Sequence, residues 1–202
     1  MRKLSVAKFG GGLLDTEGKN IPTILKRVRE LQDRDDLGPI VVFSALTGYT
    51  DELIRIGESY TQSRPIPADS IFQTYERIAK IYVKDTLLKQ LLFELGKYRK
   101  QTDEALALVN KRFHGNVKAT VLTSGGELPT SVLMEYIMKA NGLNSYRIPK
   151  EHWPLVTDDN FENATSLYEA SKKRISHFVE PLEEGKIVLQ AGFLGVTADG
   201  LE

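Results

Sequence analysis

The stretch Leu4-Ser5-Val6-Ala7-Lys8-Phe9-Gly10-Gly11-Gly12 decides the fold. Its first six residues, LSVAKF, have the pattern of a short β-strand that three glycines stop. Apolar residues then recur at the 3.6-residue period of an α-helix over 21–31, and IVVF at 40–43 predicts a second strand. A strand, a helix and a strand within about forty residues form a βαβ unit, which predicts a parallel sheet with a right-handed crossover.

The chain beyond this unit changes pattern twice. Residues 51–114 have no convincing strand pattern and carry leucines spaced as helix faces, so we expect a helical insertion there, broken near Pro65 and Pro67. Alternation then returns, and the expected elements are strands at 117–122, 145–148 and 186–190 and helices at 128–139 and 169–178. The predicted class is α/β with a helical insertion.

Composition excludes several kinds of protein. The 202 residues carry 27 Lys plus Arg against 27 Asp plus Glu, and this zero net charge argues against a nucleic-acid partner. The absence of cysteine excludes disulfides, zinc thiolate sites, iron–sulfur clusters and thiol nucleophiles. Neither a secretory signal nor a membrane-length apolar run is visible, so we expect a cytoplasmic protein with no membrane partner.

The first motif is Lys8-Phe9-Gly10-Gly11-Gly12, at the end of the first predicted strand. Consecutive glycines let backbone N–H groups converge on an anion, and the carboxyl ends of parallel strands are where open α/β sheets bind ligands. A flexible strand-to-helix turn explains the glycines equally well. Leu13 and Asn20 exclude a P-loop, and Asp15 stands where G-x-G-x-x-G needs its third glycine.

The second motif, Ser44-Ala45-Leu46-Thr47-Gly48-Tyr49-Thr50-Asp51, follows the second predicted strand. Its hydroxyls can bind a polar substrate, while the N–H groups of a helix start favour negative charge. The alternative is simple capping, with Thr50 or Asp51 as the N-cap of the next helix.

Two further motifs are acidic. Glu127 follows Thr123-Ser124-Gly125-Gly126, and at the expected helix start the dipole should keep its carboxylate ionised and suited to an ammonium group. Asp158 and Asp159, within 156–161, suggest a cation or ammonium site. A surface glutamate and a solvated turn are the respective alternatives.

Taken together and in this order, the motifs resemble those of the aspartokinases in the amino acid kinase family. Lys8-Phe9-Gly10-Gly11 resembles the family's K-F/Y-G-G, and residues 44–51 resemble its S-A-x-x-G-x-T-D/N loop. Residues 124–127 resemble S-x-G-E, and residues 157–161 resemble T-D-D-x-F. Gly192-Phe193-Leu194-Gly195, followed by Gly200, resembles G-F-x-G…G. Each is short, but their conjunction spans nearly the whole chain.

The resemblance implies a three-layer αβα sandwich around a mainly parallel sheet. It also implies transfer of the ATP γ-phosphoryl group to the side-chain carboxylate of L-aspartate, which gives 4-phospho-L-aspartate for lysine, threonine and methionine synthesis, with Mg²⁺ bridging the phosphates. The implied roles are a catalytic, phosphate-contacting Lys8; a phosphate site at Phe9, Gly10 and Gly11; aspartate contacts at Ser44, Thr47 and Thr50; an ammonium site at Glu127; and a position near the substrate for Asp159. No protein-held metal site is implied.

Three departures from the family pattern limit what is carried over. Gly12-Leu13 replaces the usual Thr-Ser, and no arginine lies in the T-D-D-x-F segment, which leaves Arg64 and Arg147 as candidates for the substrate α-carboxylate. The family continues after Gly200 with T-T-L-G-R-G-G-S-D, a nucleotide-binding half and ACT domains. We therefore expect residues 1–202 to be the substrate-side portion of the catalytic domain, folded, inactive alone and homo-oligomeric. Kinases of glutamate, acetylglutamate or a nucleotide remain alternatives, as does a non-catalytic assembly fragment.

Overall fold

A parallel sheet lies at the centre of the computed structural model, which describes residues 2–161, 163–192 and 194–197. Within those residues the strands are β1 (Val6–Phe9), β2 (Ile40–Phe43), β3 (Ser145–Arg147) and β4 (Ile187–Ala191). Their order is β1-β2-β4-β3, and each neighbouring pair is parallel. The parallel sheet predicted from the βαβ pattern is confirmed.

Helices cover both faces of the sheet. On one face, α1 (Ile21–Arg34) and α6 (Leu128–Ala140) share a large apolar core with the strands. On the other, α8 (Ser176–Glu183) packs on β4 through a smaller core around Phe178 and Leu182. In the central strand β4, Ile187 and Leu189 belong to the larger core and Val188 belongs to the smaller one, so both faces need a covering layer. The three-layer α/β arrangement is therefore confirmed.

The region expected to be helical forms three helices, α2 (Tyr49–Thr61), α3 (Asp69–Tyr82) and α4 (Asp85–Ala107). The predicted break at 64–67 is the connection between α2 and α3. These helices contribute two fully buried aromatic side chains, Phe72 and Tyr75, to the larger core. None of the helices described is both long and apolar enough to cross a bilayer.

The prediction of a strand at 117–122 is wrong. This segment is α5 (Gly115–Leu122), and it continues through a π turn at Thr123–Glu127 into α6. The β-branched residues of VKATVL raise strand propensity, but packing against α2 and α4 decides the outcome. The helix expected at 169–178 is also divided, into α7 (Tyr168–Arg174) and α8, and a short 3₁₀ turn spans Lys150–His152.

Candidate functional site

The strand register places three loops at one edge of the sheet. Phe9, Phe43 and Ala191 are paired side by side at the carboxyl ends of β1, β2 and β4. The polar loops that follow β1 and β2 therefore meet, and a cavity of about 490 Å³ lies between them. Its polar and glycine lining consists of Lys8, Gly11, Gly12, Ser44, Thr47, Gly48, Thr50, Asp51 and Glu127.

The glycine loop after β1 leaves open space where side chains would stand. A Cβ atom placed on Gly10 or on Gly12 would meet no protein atom within 4 Å. The fold therefore does not require glycine at either position for packing, whereas an incoming phosphate group would occupy such space. Gly11 and Gly12 line the cavity beside Lys8, and Phe9 instead buries its ring against Phe43.

The hydroxyl loop after β2 uses one of its hydroxyls to hold the glycine loop. Thr47 Oγ1 donates to the carbonyl oxygens of Gly11 and Leu14, and the Thr47 backbone N–H donates to Leu14 at 2.9 Å. Ser44 and Thr50 also line the cavity. The hydroxyl of Thr47 is therefore engaged by the protein itself.

The prediction that Thr50 or Asp51 caps α2 is wrong. The helix begins at Tyr49 after Gly48, whose φ of 78° lies in the left-handed region that favours glycine, and no side chain caps it. Thr50 and Asp51 consequently lie in the first turn, and their side chains line the cavity instead.

The π turn brings Glu127 to these loops. A Cβ atom on Gly125 would lie 2.6 Å from Leu53 Cδ2, and one on Gly126 would lie 3.1 Å from the Ala45 Cβ. The paired glycines therefore allow the helix to approach α2 and the hydroxyl loop more closely than other residues would permit. Single π turns within α-helices often mark functional sites.

Glu127 also borders a second cavity of about 320 Å³. Thr50 lines both cavities with it, so the two are adjacent. The second cavity adds a positive group, Lys118 on α5, and an apolar wall that includes Phe161 and Leu194. Together the cavities form a cleft that two carboxylates, Glu127 and Asp51, and two lysines, Lys8 and Lys118, line.

The environment of Glu127 differs from the one expected at a helix start. Burial raises the pKa of its carboxyl to about 7, while its own backbone N–H and the charge of Lys8 act in the opposite direction. The expectation of a dipole-stabilised carboxylate at a helix start is wrong, because Glu127 lies inside a continuous helix and burial is the largest influence on its pKa. A positive group placed beside it would lower this pKa.

The two acids of the 156–161 segment do not line the Glu127 cleft, although Asp158 lines an adjacent cavity that shares Phe161 and Leu194 with it. Asp158 Oδ1 accepts hydrogen bonds from the backbone N–H groups of Thr165 at 3.0 Å and Asn160 at 3.3 Å. It lines a neighbouring cavity of about 560 Å³ that does not include Glu127, and Asp159 is exposed. Of this segment, the structure brings Phe161 to the Glu127 cleft and does not bring Asp159 there.

Neither arginine considered for a substrate carboxylate lines the cleft. Arg147 is bound on two sides, with Nε 2.8 Å from Glu135 Oε2 and Nη2 2.7 Å from Glu94 Oε2. Arg64 lies exposed in the α2–α3 connection. Residues Phe193 and Gly200 of the last motif lie outside the described part of the chain.

Sequence reasoning assigned no place in the substrate site to Asp51 and Lys118, both of which line the cleft. Asp51 was part of the hydroxyl motif, so its position was visible. Lys118 shares a helical face with Leu122 and other cleft residues at the spacing of three and four, a signal hidden by the strand assignment. Within the described residues, no three or more His, Asp or Glu side chains cluster as metal ligands.

The sequence and the fold of this chain are similar to those of known proteins. The sequence model of the Amino acid kinase family matches residues 3–201. No curated protein matches the chain in sequence. Among solved structures, Escherichia coli aspartokinase III in complex with aspartate and ADP (R-state) aligns with a TM-score of 0.71 at 20% identity, over 98% of this chain and 42% of that one.

The same enzyme in complex with lysine and aspartate (T-state) aligns with a TM-score of 0.74 at 19% identity, again over 98% of this chain and 42% of that one. The chain thus spans less than half the length of these structures, which share its fold. Since the family model covers nearly all of its residues, the chain belongs to the amino acid kinase family.

Proposed function

We propose that this chain supplies the amino-acid side of an aspartate kinase, which transfers the γ-phosphoryl group of ATP to the side-chain carboxylate of L-aspartate. The observation that carries the proposal is the meeting of Lys8 and Glu127 at one cavity, with hydroxyls between them. An amino acid that carries an extra carboxylate needs such a pair, one charge for its ammonium group and one near its reacting end.

Glu127 suits the ammonium group. In the free protein, burial disfavours the ionised form of its carboxyl and raises its pKa. A cation beside the carboxylate would favour the ionised form and offset this cost of burial. Ser44 and Thr50 can orient the carboxylates of aspartate by donating hydrogen bonds. In this proposal Thr47 acts indirectly, because its hydroxyl already holds the glycine loop.

Lys8 suits the phosphate end. It stands at the end of β1 with Gly11 and Gly12 beside it, where the open space fits a phosphate group and a point charge can follow the phosphoryl group. ATP would supply that group, and Mg²⁺ would be held mainly by phosphate oxygens and water. The nucleophile is already a carboxylate, so positioning and charge neutralisation are the main requirements.

The solved structures support the substrate assignment, because both contain aspartate bound to a protein of this fold and one of them also contains ADP. The chain covers 42% of their length, so the activity of any longer protein that contains it is part of the proposal. We include in it a role in lysine, threonine and methionine synthesis, a cytoplasmic location and a homo-oligomeric state, which light scattering would measure.

The test compares Glu127→Ala with Glu104→Ala, an exposed glutamate on α4 that serves as the matched control. In a longer protein that also contains the nucleotide-binding half, loss of a charge-assisted contact should weaken aspartate binding by about tenfold to a hundredfold and leave ATP binding unchanged. Calorimetry with each ligand measures this, and the control should match the parent. Unchanged aspartate affinity in Glu127→Ala would remove Glu127 from the site.

The alternatives separate in a coupled assay of ADP release by a longer protein that contains this chain. L-Aspartate, L-glutamate, N-acetylglutamate and nucleotides are offered in turn with Mg-ATP. Release that depends on aspartate alone supports the proposal, and release with another acceptor would replace the substrate. Binding without release from the 202-residue chain is the result expected of a substrate-side portion.

A further inference from the structure

A buried tyrosine lies directly behind the π turn that carries Glu127. Tyr75 on α3 is fully buried, and its Oη donates a hydrogen bond to the carbonyl oxygen of Gly126 at 2.8 Å. The Thr130 hydroxyl donates to the same oxygen at 2.9 Å, and the carbonyl of Gly125 lies 3.3 Å from Tyr75 Oη. Two side-chain hydroxyls thus converge on one backbone oxygen.

This oxygen belongs to the peptide unit that joins Gly126 to Glu127. A peptide unit is planar, so fixing its carbonyl also fixes the direction of its N–H group and of the next Cα atom. A π turn interrupts the regular i to i+4 ladder, and its backbone groups need other partners to stay in one conformation. Gly125 and Gly126 make the turn adaptable, which increases the need for such partners.

We propose that Tyr75 is a positioning residue: by holding the Gly126–Glu127 peptide unit, it aims the Glu127 carboxylate into the cleft beside Lys8. The effect of this role on aspartate binding rests on the proposed function, whereas the claim that Tyr75 orients Glu127 does not. Tyr75 itself lines neither cleft cavity and acts only through the turn.

A purely structural role is the competing explanation, and the chain provides its control. Tyr49 is also buried, and its ring meets that of Tyr75 edge to face at 5.5 Å between centroids. Its Oη faces the carbonyl of Ile71 at 3.4 Å and makes no hydrogen bond to the π turn. Tyr49→Phe therefore removes a buried hydroxyl from the same core without touching the Gly126 carbonyl.

The experiment follows the titration of Glu127 itself. The chain is labelled with ¹³C at glutamate carboxyls, and Glu127→Gln identifies the resonance. The charged or titratable groups around this carboxylate are Lys8, Asp51 and Lys118 on the cleft side and Tyr75 behind it. All but Tyr75 are unchanged in Tyr75→Phe.

If Tyr75 holds the turn, the freed carboxylate of Tyr75→Phe will reach water more often, and its pKa will fall toward the ordinary value by about half a unit or more. Thr130→Val, which removes the second donor, should move it in the same direction, and Tyr49→Phe should leave it unchanged. A folded Tyr75→Phe protein that titrates like the parent overturns the proposal, and so does an equal shift in Tyr49→Phe. Should Tyr75→Phe not fold, Thr130→Val decides by the same criterion.

Aspartate binding gives the second readout. Tyr75→Phe should weaken it by about threefold to tenfold, while Tyr49→Phe leaves it unchanged. If the parent chain binds no aspartate, the proposed function fails, but the titration still decides whether Tyr75 positions Glu127. The two failures are therefore distinguishable.

Discussion

Glu127 and Asp158 show how differently one kind of charge can be used in this protein. Both belong to acidic motifs that the sequence marked as sites for a cation. Glu127 lies within a helix, partly buried, and burial raises the pKa of its carboxyl to about 7. Asp158 lies in a loop where the backbone N–H groups of Thr165 and Asn160 donate to it, and these hydrogen bonds lower its pKa.

The pH dependence of stability therefore has opposite signs at the two sites. A carboxyl with a raised pKa in the folded state stabilises the fold when protonated, and this contribution is lost as pH rises through its folded pKa. A carboxyl with a lowered pKa stabilises the fold when ionised, and this contribution is lost as pH falls. Asp158 supports its own loop, whereas Glu127 costs stability at neutral pH, as is common for groups that await a ligand.

The largest effect is expected from Lys8→Met, which removes the positive charge that faces Glu127 across the cleft. In a protein that catalyses the proposed transfer, kcat should fall by about a hundredfold to a thousandfold, because the charge of Lys8 matters most as the transition state forms. Lys3→Met, at another exposed lysine near the start of the chain, is the control. Steady-state kinetics would measure both, and a loss confined to aspartate affinity would contradict the phosphate role.

A second effect is expected in stability. The Glu127 pKa of about 7 lies above the ordinary value of 4.5. The parent should therefore lose up to about 3 kcal/mol of unfolding free energy, steadily as pH rises from about 4.5 to about 7 and little more above that. Glu127→Gln cannot ionise and should lack this loss, so that it is more stable than the parent at pH 8 and similar at pH 5.

Denaturant titrations of both proteins at several pH values between 5 and 8 would measure this difference. Other groups titrate identically in the two proteins, so the difference between the curves isolates Glu127. Parallel curves would show that Glu127 ionises normally and that the cleft does not bury it.

The sequence predicted the sheet edge well because the signals there are local. A short strand that ends in glycines, and an apolar run that ends in Ser44, each fix where a strand stops. Parallel pairing then brings such ends together without further information, since the carboxyl ends of parallel strands share one edge. The meeting of Lys8 with Ser44 and Thr50 follows from those two facts.

The approach of Glu127 could not be predicted in the same way. The segment before it has β-branched residues, which favour strands locally, and only packing against α2 and α4 makes it helical. The π turn has no reliable sequence signal, although Gly125-Gly126 permits the close approach to Leu53. The sequence therefore predicted a helix dipole as the main influence on Glu127, whereas burial dominates there.

The smallest effect is expected at Asp159. Its adjacent aspartates suggested a substrate site, but the orientation of a loop residue depends on contacts that no local pattern records. Asp158 turns inward to the amides of Thr165 and Asn160, and Asp159 is left exposed. Solvent and salt screen an exposed charge that lies away from the cleft, so Asp159→Ala should change aspartate affinity by less than about twofold.

The comparison with Glu127→Ala makes this small effect informative. Both variants remove one carboxylate from an acidic motif, and calorimetry with aspartate measures both under the same conditions. If Asp159→Ala weakened binding as much as Glu127→Ala does, the loop would have to move when aspartate binds. Phe161, two residues further on, already lines the cleft, so such a movement would bring Asp159 over it. A large effect would thus show that this loop closes over the substrate, although Asp159 is exposed in the free protein.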